Sequence, residues 1–183
     1  STQTGLLRSR NAADLGRGLT TNLLGCARRG MSEKQPVRLN EIVGQIVGIL
    51  ERTLPKAVTL QTQLASDLRV VMGDPNQLSQ VVMNLCINAV EAMGDVGGTL
   101  TVATRNVTLG DLDLIGYPGR TPGTYTELMV ADTGNGIPTE ALSRVFEPFF
   151  STKSTGTGLG LAMVYGATEN HGGRVVLDSK LGK

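Results

Sequence analysis

Asn84 and Asn88 stand four residues apart, with Glu91 three further on, in a stretch whose apolar residues repeat with a helical period. On a helix that spacing stacks the two amides on one face, roughly 5–6 Å apart at Cβ. Asn is a mediocre helix former, so two in register call for an explanation. A solvated face supplies one. The chemical alternative is that amide oxygens are neutral, hard ligands, suited to a Mg²⁺ that already carries phosphate oxygens and water. A second constellation is Asp132-Thr133-Gly134-Asn135-Gly136, at the end of a strand-like run. An ionised carboxylate only accepts hydrogen bonds, so it selects a donor such as the exocyclic amine of adenine. The glycines let the backbone pass close to a flat base, although the same residues suit an ordinary Asp/Gly turn. The third is Gly156-Thr157-Gly158-Leu159-Gly160, leading into a helix. Free amides and the positive end of the dipole make a phosphate site there. It is not the nucleoside-triphosphate P-loop, because no Gly-Lys-Ser/Thr follows. It also lacks the G-x-G-x-x-G spacing, since Leu161 and Met163 fall where the last Gly is needed.

The elements that must hold these residues are legible as periodicities. Leu15, Leu19, Leu23 and Ala27 form one helical stripe between Asn11 and Arg29, weakened by Gly16, Gly18 and Gly25. Gly30 to Pro36 reads as a linker. Asn40 is placed to cap a helix burying Ile42, Val43, Ile46, Val47 and Leu50, which Pro55 ends. Val58 to Leu64 alternates with period two as a strand, with Leu68 to Met72 as its expected hairpin partner. Asp74-Pro75 opens the strongest helix, Asp as cap and Pro at the first helical position. Leu78, Val81, Val82, Leu85, Ala89 and Met93 are its apolar face, and Gly94 to Gly98 stop it. Thr99 to Val107 is a strand, Thr108 to Gly123 a polar excursion, and Thr124 to Ala131 another strand. Pro138 to Val145 is expected as a short helix, Phe146 to Thr157 as loop, Gly158 to Asn170 as helix and Arg174 to Ser179 as a final strand. Helices and strands mix without regular βαβ alternation, which predicts an α+β, two-layer α/β sandwich.

Composition bounds the reading. With 183 residues, 40% hydrophobic and 18% charged, the chain can bury a real core. A net charge of +1 and no Trp give no electrostatic or stacking basis for nucleic-acid binding. Cys26 and Cys86 form no C-x-x-C unit and the sequence has one His, which argues against zinc. Buried free thiols suit a reducing cytoplasm, and no apolar stretch reaches membrane-spanning length.

Taken together, the motifs resemble those of sensor histidine kinases. Asn84-Leu-Cys-Ile-Asn88-Ala-Val-Glu-Ala is similar to their N box, and Asp132-Thr-Gly-Asn-Gly136 to their first glycine box. Phe146-Glu-Pro-Phe-Phe-Ser-Thr-Lys153 is similar to the F box and Gly156-Thr-Gly-Leu-Gly-Leu161 to the second glycine box, followed by Asn170-His-Gly-Gly173. The resemblance spans about Val37 to Ser179, with a nitrogen-regulation-like flavour. It implies the left-handed Bergerat ATP-binding sandwich shared by gyrase, Hsp90, histidine kinases and MutL, a mixed sheet on three helices.

Carried over residue by residue, the resemblance implies that Asp132 binds the adenine amine, beside Gly134, Gly136 and Ile137. Asn88 would ligate Mg²⁺ and Asn84 support the phosphates. The amides of Gly158, Leu159 and Gly160, with Gly156 and Thr157, would hold phosphate oxygens under a mobile lid from Glu147 to Thr157. Lys153 would be a lid cation near ATP, or else a solvated loop Lys; Phe146, Phe149 and Phe150 would anchor the lid. Hydrolases of the superfamily carry a Glu where Asn84 stands, and an amide cannot take a proton from water. Glu91 reads as structural rather than as a substitute base, and His171 as a capping or surface residue. The implied activity is therefore phosphoryl transfer from ATP to a histidine, with no catalytic His in this sequence. A nucleotide-binding regulatory module without chemistry is the alternative. Residues 1–35 would be the remnant of a dimerisation hairpin's second helix and linker, and 36–183 the ATP-binding domain with its last strand cut short. The implied partners are the hairpin, a response-regulator receiver domain and, for the parent, a second copy as homodimer; the domain is expected in the cytoplasm, whether or not its parent is membrane-anchored.

Overall fold

A computed structural model describes residues 34–153 and 156–182. The N-terminal helical stripe and most of the hairpin remnant lie outside the described residues. Within them run strand β1 (Gln35–Val37), helix α1 (Leu39–Thr53), strands β2 (Val58–Leu64) and β3 (Val71–Gly73), and helix α2 (Pro75–Met93). Strands β4 (Gly98–Leu109) and β5 (Gly123–Asp132), the short helix α3 (Thr139–Leu142) and helix α4 (Gly160–Asn170) follow.

β2, β4 and β5 form one mixed sheet, β4 in the middle. β2 pairs parallel to β4 from Val58↔Gly98 to Leu64↔Thr104. β5 pairs antiparallel to β4 from Leu100↔Asp132 to Leu109↔Gly123. Side chains alternate across a strand, and Leu100, Val102 and Thr104 point to one covered face. Helices α1 and α2 close that face. Val43, Val82, Cys86, Leu100 and Val102 are fully buried at the centre, each worth roughly 1.5–3 kcal/mol if it is a large apolar side chain. Ile42, Ile46 and Leu50 extend the core along α1, and Ala89 and Met93 along α2. The fold is the α+β sandwich expected.

The caps and edges differ from expectation in five places. Asn40 does not cap α1: Arg38 stands at the cap position without a side-chain bond. Thr104, the one buried polar residue among those described, makes a better claim on Asn40. Its hydroxyl donates to Asn40 Oδ1 at 2.7 Å, and Asn40 Nδ2 donates to the Ala65 carbonyl at 2.8 Å. A buried hydroxyl without a partner costs more than an uncapped, exposed helix start.

Leu68 to Met72 is not the hairpin partner of β2. The chain after Leu64 is drawn across the end of the sheet, where Arg69 N donates to Asn106 Oδ1 and Asn106 Nδ2 to the Asp67 carbonyl, both at 3.0 Å. Val71 to Gly73 then pairs antiparallel with β1 instead, and the edge of β2 is satisfied by the parallel β4. Arg174 to Ser179 forms no ladder. Side chains of the β4–β5 excursion hold it instead: Tyr117 Oη donates to Val175 O at 3.1 Å, and Arg120 Nε to the carbonyl of the preceding Gly173 at 2.9 Å. The Pro138–Val145 helix shortens to α3, and α4 starts at Gly160 rather than Gly158, whose φ of 67° is not helical.

Candidate functional site

Helix α2 is the spine of the site. Asp74 caps it as expected, its Oδ1 accepting from Asn76 N at 2.8 Å and Gln77 N at 3.4 Å, with Pro75 behind it. Asn84 and Asn88 project from the face turned toward the start of α4. Asn84 Nδ2 lies 3.4 Å from the Gly160 carbonyl. A Cβ on Gly160 would sit 3.4 Å from Asn88 Nδ2, so glycine lets the helix start approach the Asn pair. Leu159, only 5% exposed, anchors that start in the core. No side chain caps it, and the first amides of a helix have no acceptor within it.

Gly158 shapes the entry to α4. Its φ of 67° belongs to glycine, and an added Cβ would lie 2.4 Å from the backbone carbon of Phe149. The Gly158 carbonyl accepts from Phe149 N at 2.9 Å. Phe149 itself has φ 68°, the single positive value at a non-glycine residue among those described, a conformation that costs about 1–2 kcal/mol. It is 72% exposed and is not an anchor. Phe146, stacked on Tyr165 with centroids 5.5 Å apart, and Phe150, under the Arg144 guanidinium at 4.4 Å, do pack on the domain. Gly156 N donates to Lys153 O at 3.4 Å, and Thr157 is half-buried beside it. Residues 154 and 155 of the expected lid lie outside the described residues.

The other end of α2 holds the second constellation. Asp132 closes β5, exposed, with Oδ1 accepting from Gly134 N at 2.8 Å; Oδ2 remains for a further donor. Gly134 lies flat on the last turn of α2: an added Cβ would stand 2.6 Å from the backbone of Ala92, and Asn135 N donates to the Ala92 carbonyl at 3.0 Å. Gly136, φ 71°, presses against Lys180 O, and Ile137 N donates to Ser179 Oγ at 2.9 Å. From Asn84 to Ala92 the helix rises about 12 Å. The two glycine motifs are thus set along one helix, the carboxylate beside its last turn and the free amides beside its middle.

Lys153 is not a solvated loop side chain. Its ammonium donates to Glu91 Oε2 at 2.8 Å and lies 3.5 Å from the Asn88 carbonyl. Two charges 62 residues apart leave no local signal of their pairing. His171 is also more than a cap. Its Nδ1 lies 2.7 Å from the Ala167 carbonyl, which can only accept, and its Nε2 accepts from Asp74 N at 3.0 Å. The partners fix the neutral tautomer protonated on Nδ1, and the ring joins the end of α4 to the start of α2.

Whether these residues fit a phosphate chain and a divalent cation can be judged from what they lack. Asn88 Nδ2 is buried without a hydrogen-bond partner, an arrangement that costs free energy unless a ligand acceptor completes it. The neighbouring helix start is uncapped, and glycine occupies the points where a side chain would fill the cradle. Among the described residues no cluster of three His, Cys, Asp or Glu exists to hold a metal unaided. One neutral amide oxygen plus ligand phosphates is the donor set Mg²⁺ accepts, so the residues fit.

Residues 73–183 match the family described as histidine kinase-, DNA gyrase B-, and HSP90-like ATPase. The chain is 36% identical over 180 residues to the sensor kinase CckA of Brucella abortus, covering 97% of this chain and 19% of that protein. It is 36% identical over 182 residues to the sensor histidine kinase ZraS of Klebsiella oxytoca, covering 99% of this chain and 36% of that protein. It therefore spans about a third or less of these relatives. Among solved structures, the catalytic domain of histidine kinase ThkA superposes with a TM-score of 0.60 at 28% identity, covering 76% of this chain and 82% of that one. Among the described residues no helix is long and apolar enough to cross a membrane.

Proposed function

Since this chain belongs to the histidine kinase-, DNA gyrase B-, and HSP90-like ATPase family, we propose that it binds Mg·ATP along α2 and transfers the γ-phosphoryl group to a histidine on a dimerisation hairpin. The observation that carries this reading is the opposition of the uncapped start of α4 to Asn84 and the orphaned amide of Asn88. Asp132, at the far end of the same helix, accepts from the adenine amine through its outer oxygen. Gly134, Gly136 and Ile137 form the wall against the base. The amides of Gly158, Leu159 and Gly160 hold phosphate oxygens, Gly156 and Thr157 lead the chain into them, and Lys153 supplies positive charge beside them. Bound through Asn88, Mg²⁺ would neutralise charge on the phosphate oxygens.

Transfer is favoured over hydrolysis because neither carboxamide nor carboxylate of α2 at the phosphate position is free to act as a base. Asn84 cannot accept a proton, and Glu91 is engaged by Lys153. Phosphoryl transfer needs little beyond positioning and charge neutralisation, provided the nucleophile is delivered in line. The acceptor is not His171. Both its ring nitrogens are used, and it lies past the C-terminal end of α4, about 15 Å along the helix from the amides. Relay to a response-regulator aspartate and a homodimeric parent, with this domain on the cytoplasmic side, complete the reading.

The test is incubation with γ-labelled ATP, alone and with a separate hairpin protein bearing a histidine. Acid-labile label should appear on the hairpin and not on this chain. Rapid hydrolysis without an acceptor, or label on this chain abolished by His171→Gln, would overturn the reading.

A further inference from the structure

We propose that Glu91 is a positioning residue that holds the ammonium of Lys153 at the phosphate end of the site, an inference that rests on the nucleotide reading above. The pair joins the loop after α3 to the exposed face of α2, with Nζ 2.8 Å from Glu91 Oε2. The same ammonium lies 3.5 Å from the Asn88 main-chain oxygen. Two of its three donors are thereby directed, leaving one for a ligand oxygen. The position is specific: the side-chain Nδ2 of Asn88 is buried and unpartnered, beside the Gly160 helix start.

Stability does not explain this arrangement. The side chains are 36% and 49% exposed, and exposed ion pairs contribute little to folding. What the pair does is restrict a long, flexible side chain to one helical turn of the expected phosphates before the nucleotide arrives. A charge fixed in advance aids binding because its ordering is not charged against the ligand. Glu91 touches no nucleotide atom; it acts through Lys153, and the neutral net charge of the pair limits its repulsion of phosphate.

The full chain should be titrated calorimetrically with Mg·ATP and, separately, with adenosine, which lacks phosphate. Glu91→Gln should weaken Mg·ATP on the order of two- to five-fold, the range set by an exposed pair, and leave adenosine unchanged. Glu91→Asp should recover part of the loss. Lys153→Met should weaken Mg·ATP at least as much, and adding Glu91→Gln to it should have no further effect, since the partner is already gone. Tighter Mg·ATP binding by Glu91→Gln would mean the carboxylate competes with phosphate and would overturn the proposal. So would an equal loss for adenosine, or additive losses in the double variant. A wild-type chain that binds neither ligand would instead refute the nucleotide reading itself.

Discussion

Replacing Asn88 with Ala should separate stability from function in opposite directions. In the ligand-free chain Asn88 Nδ2 is buried without a partner, and an unsatisfied buried group costs about 1–3 kcal/mol. Ala removes that cost and is the better helix former by up to about 0.7 kcal/mol. Against this stands the lost packing of a small side chain that touches Gly160, on the order of 1 kcal/mol. The balance favours the variant by about 1 kcal/mol, a Tm rise of roughly 2–4 °C for a domain of this size. Mg·ATP binding should move the other way. Loss of one contact to a charged group costs roughly 1.5–3 kcal/mol, ten-fold or more in Kd. Thermal unfolding without nucleotide, and calorimetric titrations in Mg²⁺ and in EDTA, measure the two effects. The reasoning fails if Asn88→Ala lowers Tm by several degrees while the Mg²⁺-dependent increment of ATP affinity stays as in wild type.

Three further outcomes follow from particular geometries. Burial pushes the Cys86 thiol up from 9.0 to about 11, so the unfolded chain loses its proton first as pH rises. Stability should therefore fall by about 2 kcal/mol between those two pH values, a decline in urea midpoint that Cys86→Ala should lack. Gly158→Ala meets both a positive φ and the Phe149 backbone; calorimetry should show weaker ATP binding with adenosine binding retained, and unchanged ATP affinity would contradict the placement of the amides. His171→Phe removes the ring acceptor of Asp74 N and the ring donor to the Ala167 carbonyl, which keeps the His171 main-chain N–H at 3.1 Å, and should lower the unfolding free energy by about 1 kcal/mol, measured by denaturant titration.

Local chemistry was legible in the sequence; pairings across the chain were not. Asp74-Pro75 announced the start of α2 because cap and first-turn preferences act within four residues. The strands expected at Thr99–Val107 and Thr124–Ala131 formed, each one or two residues longer at either end. The glycine motifs were legible because a positive φ or a close approach leaves few alternatives, as at Gly136 and Gly158. Leu68 to Met72 misled because its apolar run suits any partner, and the choice was made by Asn106 and β1, far off in sequence. Asn40 misled for a related reason: a helix-capping residue was claimed by a buried threonine 64 residues away. Arg174 to Ser179 has a strand's composition, but a ladder needs a neighbour, and side chains of the excursion bond the Val175 and preceding Gly173 carbonyls instead. The Glu91–Lys153 pair, crossing 62 residues, left no periodic trace.

The central claim is that a nucleotide lies along α2 with its base at Asp132, and titration of the wild-type and Asp132→Ala chains with ATP, ADP and GTP tests it most directly. Asp132 is exposed at the end of β5, so the variant should fold, and its thermal unfolding should confirm that. Wild type should prefer ATP and ADP over GTP, and Asp132→Ala should weaken ADP by about ten-fold or more, the loss of a charge-assisted hydrogen bond. Equal affinity of the wild-type chain for GTP, or unchanged ADP affinity in a folded Asp132→Ala chain, would contradict it.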